Sequence, residues 1–108
     1  MRPEKLKILG KPFQIRWLTE GMDVDLNGEC DSDKQAISIR DGQPLEQEQD
    51  TLLHEVIHAI DEAMGLKMKE AQVKGCATGL LAVLKDNPRF STYLRRKLCL
   101  RAAPQTEK

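Results

Sequence analysis

The sequence predicts an α+β fold: a small, mostly antiparallel β-sheet packed against one long helix, with two further helices. Two observations predict it. Short apolar alternations separated by turn residues occupy the first 40 residues. Helical apolar spacing, interrupted by glycine and proline, occupies most of the rest. A chain of 108 residues is large enough for one modest core, so we expect a single domain.

The predicted sheet lies before residue 41. Residues 5–18 read KLKILGKPFQIRWL and predict two strands joined by a turn at 10–12, or one strand broken at the proline. Residues 21–27 are loop-like. Residues 28–40 read GECDSDKQAISIR and predict a hairpin with its turn at 31–34.

The long helix follows the DGQP stop. Pro44 suits the first turn of a helix, where its missing N–H costs nothing. The helical pattern runs to Met64, and Gly65 suits a left-handed C-terminal cap.

Two further helices are predicted from the remaining sequence. One runs from about Lys69 to Lys85, and Gly75 and Gly79 on it should allow close approach of a neighbouring helix. The other starts after Asn87, with Pro88 in its first turn, and runs through Leu100.

Charge and cysteine content exclude several functions. The 17 basic and 17 acidic residues cancel, so no whole-protein field attracts nucleic acid, and we expect no nucleic-acid partner. Residues 95–101 are basic and could contact nucleic acid or an acidic partner, but they equally suit a helix C-terminus, which is the interpretation we favour. No apolar run approaches the roughly 18 to 20 residues of a membrane span, so we expect no membrane association. Three cysteines without paired spacing favour a reduced, cytoplasmic location.

The stretch TLLHEVIHAIDEAMGL, residues 51–66, holds the only two histidines, His54 and His58. On a helical wheel the apolar residues share one arc, and both histidines lie on the opposite, polar arc with Glu55. Histidines four apart lie one turn apart, so both rings can reach one tetrahedral zinc ion. Glu55 would flank the ion and take a proton from its water. The alternative is a solvated helix face.

A catalytic zinc usually takes three protein ligands, and the chain has no third histidine. Glu70 is favoured because a carboxylate on the otherwise apolar stripe of the second helix is costly unless it is paired. Cys76 is the alternative. Asp61 and Glu62 extend the histidine arc and could orient a ligating imidazole. Tyr93 could donate to an oxyanion if the third helix packs near the zinc.

At HEVIH, with a glutamate on the following helix, the chain resembles zincin metallopeptidases of the gluzincin type. The phrases TLLHEVIHAIDEAMGL and KEAQVKGCATGLLAVLKDNP resemble small phage- or prophage-encoded proteins related to ImmA/IrrE-type metallopeptidases. The resemblance covers residues 28–90. It implies a zincin-like metallopeptidase domain over residues 1–108, of which the last residues, about 102–108, are expected from the sequence itself to be a frayed tail. It also implies one zinc ion at His54 and His58, a glutamate as third ligand, and Glu55 as general base.

The function we expect is therefore zinc-dependent hydrolysis of a peptide bond in a protein or peptide substrate. One alternative is a catalytically weak or inert zinc-binding protein. The other is a regulatory module of the phage or prophage type, which acts by contact through the basic third helix on a repressor or on DNA.

Overall fold

The computed structural model describes residues 2–20 and 26–97, and within them it has an α+β fold. This fold class was predicted, and the prediction is confirmed. The elements in chain order are β1 (Lys5–Ile8), β2 (Lys11–Leu18), β3 (Gly28–Asp31), β4 (Ala36–Arg40), α1 (Leu45–Met64), α2 (Glu70–Asp86) and α3 (Pro88–Arg95).

The sheet is mixed and has the strand order β1-β2-β4-β3. β1 pairs with β2, and β3 with β4, in antiparallel fashion, whereas β2 and β4 are parallel, with Ile15 opposite Ile37. Of the two alternatives for residues 5–18, the structure has two strands: Leu9 and Gly10 both take positive φ, at 49° and 85°, and form the tight turn between them. The parallel pair was not predicted.

The core lies between the sheet and α1. Ile37 and Ile39 of the central strand β4 are 0 % exposed and pack with Ala59 of α1 and with Phe13 and Ile15 of β2. Fully burying an isoleucine side chain contributes roughly 1.5–3 kcal/mol. These contacts therefore fix α1 across the sheet, with its polar arc facing away from this core.

The second helix packs on α1 through a smaller cluster. Val73 and Ala77 are both 0 % exposed and contact Ile57 of α1. The expectation for Gly75 and Gly79 was wrong, because a Cβ atom added at either position would meet no atom of the described residues within 4 Å. Both glycines therefore lower the intrinsic stability of the helix, and no close packing of a neighbouring helix offsets this cost.

The third helix is shorter than predicted. It ends at Arg95, and Arg96 takes extended backbone angles (φ −66°, ψ 140°). It packs on α2, where the Ser91 hydroxyl donates to the Leu84 carbonyl at 2.8 Å, and none of its residues is buried. Residues 98–100 of the predicted helix and the expected frayed tail, 102–108, lie outside the described residues. None of the helices in 2–20 and 26–97 is long and apolar enough to cross a membrane.

The start of α1 is joined to the N-terminus through Arg2. Helix α1 begins at Leu45, with Pro44 just before it and not inside its first turn. Arg2 donates to the buried carboxylate of Glu48 at 3.0 Å and also pairs with Asp41. Its guanidinium lies 4.5 Å from the centre of the Trp17 ring. The hydrogen bond from Arg2 lowers the pKa of Asp41, and the hydrogen bonds to Glu48 and then to Asp41 raise the pKa of Arg2.

Candidate metal centre

The two histidines of α1 face each other across one helical turn. The ring centres of His54 and His58 are 4.8 Å apart, the ring planes meet at 62°, and the two Nε2 atoms are 3.2 Å apart. Because Ile57 and Ala59 hold the opposite arc of the helix in the core, the rings point into the space beside α1.

The first residue of α2 completes this group. The carboxylate of Glu70 has one oxygen 2.8 Å from Nε2 of His54 and the other 3.1 Å from Nε2 of His58. Glu70 is 68 % exposed, whereas the histidine side chains are 17 % and 33 % exposed. The structure thus brings together three residues that sequence spacing had singled out, from two helices separated by a turn.

The spacing of these atoms fits a small metal ion. Two ligands held about 2.0–2.1 Å from a tetrahedral ion lie about 3.3 Å apart. The two Nε2 atoms are 3.2 Å apart, and each lies 2.8 or 3.1 Å from a different oxygen of the Glu70 carboxylate. With one ligand atom taken from each residue, the three atoms all lie within 4.8 Å of one another. Two imidazoles and one carboxylate are also a donor set that holds catalytic zinc with one position left for water. His54, His58 and Glu70 together form a group that could hold a metal ion.

Glu55 lies beside the metal group but is buried. Its exposure is only 7 %, and burial raises its pKa, an effect opposed by the nearby histidines. Because Glu55 directly follows His54 on the helix, its side chain is rotated around the helix axis away from the histidine arc. It therefore flanks the group of three residues that could hold a metal ion.

A cleft of about 480 Å³ opens between the edge strand β3 and α1, and the three metal-group residues line it. Glu29, Cys30 and Ser32 line the strand side, and Asp61 and Glu62 line the helix side. Among the described residues that line it there is no lysine or arginine. Cys30 is partly buried there, and this burial raises the pKa of its thiol.

Strand β3 crosses very close to α1 because its first residue is glycine. A Cβ atom at Gly28 would lie 2.6 Å from Cγ2 of Thr51 and 3.3 Å from Cγ of Glu55. Gln43 holds this crossing: its side-chain oxygen accepts from the Thr51 hydroxyl at 3.1 Å, and its amide nitrogen donates to the Asn27 carbonyl at 3.3 Å. Gly28 was not predicted to be a site residue, although a glycine in a strand is a known sign of close backbone approach.

The remaining predicted site residues have other positions. The Asp61 carboxylate accepts a hydrogen bond from the Met68 N–H at 3.1 Å. Among the described residues, no hydrogen bond joins Asp61 to either histidine ring. Glu62 is exposed on the cleft wall. The expectation for Tyr93 was wrong: it lies on α3, which packs on α2, and it is 65 % exposed and does not line the cleft. Cys76, the alternative ligand, is exposed on α2 and is not part of the metal group.

Comparisons of the chain with protein-family models, with curated proteins and with solved structures found no match.

Proposed function

We propose that this protein is a zinc-dependent metallopeptidase that hydrolyses a peptide bond in a protein or peptide substrate in the cytoplasm. The observation that carries the proposal is the meeting of His54, His58 and Glu70 beside a buried carboxylate, Glu55. Glu55 is part of the argument because two histidines and one carboxylate alone would also suit an iron site. A hydrolytic zinc site needs, in addition, a group that accepts the proton of the attacking water.

Each residue has a definite role in the proposed reaction. His54 and His58 would each offer the lone pair of Nε2 to the ion, and Glu70 would add one carboxylate oxygen. Zinc bound by these atoms would lower the pKa of a water molecule and polarise the substrate carbonyl. Glu55 accepts the proton of the attacking water as the new C–O bond forms. It then donates that proton to the amine nitrogen as the C–N bond breaks.

The cleft suggests how a substrate is held. Within the described residues β3 has a strand neighbour on one side only, β4, so its other edge is available to an extended peptide. A peptide paired there would run along the wall formed by Glu29 and Cys30, past the histidine pair. Acidic side chains outnumber the single lysine, Lys74, among the described residues that line this cleft and the space beside it. We therefore expect peptides with lysine or arginine to bind best.

The first test is the metal content of the purified protein, measured by mass spectrometry. We expect one zinc ion per chain, lost in His58→Ala and weakly held in Glu70→Gln. Glu62→Gln is the matched control, since it changes an acid of the same cleft outside the metal group. A protein that takes up no zinc after reconstitution, or that takes up iron in its place, would refute the proposal.

The second test separates binding from hydrolysis. Glu55→Gln should keep zinc at the wild-type level and lose cleavage of a fluorescence-quenched peptide pool, because the amide cannot accept the proton. If Glu55→Gln and the wild type cleave the pool equally, Glu55 is not the base.

A second candidate function is a catalytically inert zinc-binding protein that regulates a protein partner by contact. It is supported by α3, whose residues Phe90, Tyr93 and Leu94 are 42 %, 65 % and 55 % exposed. This function predicts zinc binding without cleavage, and partner binding that is lost in Leu94→Ser but kept in Glu55→Gln.

A further inference from the structure

The position of Glu70 depends on the turn that precedes it. Glu70 is the first residue of α2, and its side chain is 68 % exposed, so packing does little to fix it. The histidines, by contrast, belong to the middle of a helix held on the sheet. The position of the Glu70 carboxylate is therefore determined by the backbone of residues 65–69.

This turn has two residues in the left-handed region, Gly65 at φ 63° and Lys67 at φ 57°. A non-glycine residue rarely adopts that conformation without other contacts to hold it. Asp61 supplies such contacts to the turn, through its backbone carbonyl and through its side-chain carboxylate. The backbone carbonyl of Asp61 accepts from the N–H groups of Gly65 and Leu66, and its carboxylate accepts from the N–H of Met68 at 3.1 Å.

The turn then passes directly into α2. The backbone N–H of Lys69 donates to the side-chain oxygen of Gln72 at 2.8 Å, and the helix begins at the next residue. Only Lys69 therefore separates the Asp61 contact at Met68 from Glu70. A shift of the backbone at Met68 would move the carboxylate of Glu70 relative to the histidine rings.

We propose that Asp61 is the positioning residue for Glu70: its carboxylate, by holding Met68, places Glu70 against the histidine pair and so sets the affinity for zinc. The inference rests on the proposed function, and it gives Asp61 a role on the turn and not on an imidazole. Asp61 does not touch the reacting atoms in this proposal.

The test compares Asp61→Ala with Asp61→Asn, using zinc alone as the probe and a competing chromophoric chelator to measure affinity. Asp61→Ala should weaken zinc binding about 10- to 100-fold, as expected when a residue supporting a ligand is removed. Asp61→Asn keeps an acceptor oxygen without the charge and should stay within about threefold of wild type. Equal losses in the two variants would overturn the proposal, because the lost charge would then explain the effect.

A double-mutant cycle shows whether Asp61 acts through Glu70. In a Glu70→Ala background, Asp61→Ala should change zinc affinity by no more than about twofold, since the residue it positions is gone. The same 10- to 100-fold loss in both backgrounds would overturn the proposal. Glu62→Ala is the matched control for loss of a neighbouring acid, and circular dichroism confirms that each variant folds.

A metal-free measurement distinguishes this inference from the proposed function. Amide hydrogen exchange at Met68, followed by NMR without zinc, should be faster in Asp61→Ala than in wild type and close to wild type in Asp61→Asn. Unchanged exchange in Asp61→Ala would overturn the positioning role even if zinc binds. Faster exchange in a chain that binds no zinc would refute the proposed function and leave the positioning of Glu70 in place.

Discussion

The close crossing of β3 over α1 makes Gly28→Ala a sharp test of the structure. The new Cβ would lie 2.6 Å from Cγ2 of Thr51, well inside van der Waals contact, and 3.2 Å from Cδ1 of Ile39. Thr51 is only 9 % exposed, so its methyl group cannot turn into solvent. Overpacking of this kind costs about 1–3 kcal/mol.

The sign of the net effect follows from two opposing terms. Replacing glycine by alanine in a strand otherwise gains roughly 0.5–1 kcal/mol from lower chain entropy in the unfolded state. We therefore expect Gly28→Ala to lower the free energy of unfolding by up to about 2.5 kcal/mol, with a central value of about 1 kcal/mol. At roughly 4 to 8 °C per kcal/mol, the melting temperature should fall measurably.

The assay is urea unfolding of a double-mutant cycle with Thr51→Ser. Serine removes the clashing methyl group and keeps the hydroxyl that donates to Gln43. Gly28→Ala should be neutral or stabilising in the Thr51→Ser background, giving a coupling free energy of about 1–3 kcal/mol. Equal effects of Gly28→Ala in both backgrounds would show that β3 does not lie against Thr51, and the cleft wall described here would be wrong.

The other predictions concern positions away from the cleft. Gly75→Ala and Gly79→Ala should each raise the free energy of unfolding by about 0.8–1 kcal/mol, because the added methyl meets no neighbour; thermal melts check this, and a loss of stability would contradict the packing of α2. Arg2→Met should destabilise the protein at neutral pH, because it removes the guanidinium that pairs with the buried Glu48 and with the more exposed Asp41. The pKa of Asp41 is lowered in the folded state, so its stabilisation is present above the usual value of 3.8 and is lost as pH falls through the lower, folded value. The wild type and Arg2→Met should therefore converge in stability at acid pH in urea titrations, and a difference that grows on acidification would contradict this.

The structural elements that were predicted correctly are those that depend on the spacing of residues close together in the chain. Apolar spacing placed α1 up to Met64 and its cap at Gly65, and the structure has both at those positions. The hairpin of β3 and β4 was also predictable, since its turn residues separate two short apolar runs. Helical spacing likewise put Glu70 on the apolar side of α2, where its carboxylate meets the histidine rings.

The predictions that failed depend on what lies opposite a residue. Gly75 and Gly79 have the spacing of a helix contact, but the helix turns them to open space, because Val73 and Ala77 take the contact with α1. Tyr93 could reach the cleft only if α3 folded back toward it, and the short link at Asn87 packs α3 on α2 instead.

By itself, the sequence determined which side chains share a helix face: the spacing of His54, Glu55 and His58 fixes their directions within one turn of α1, because helix geometry is local. Only the tertiary structure decided what surrounds them. The parallel pairing of β2 with β4 makes β3 the edge strand, Gly28 brings that strand against Glu55, and the turn held by Asp61 brings Glu70 to the histidines. These contacts join residues distant in the chain, and no local spacing encodes the distances between them.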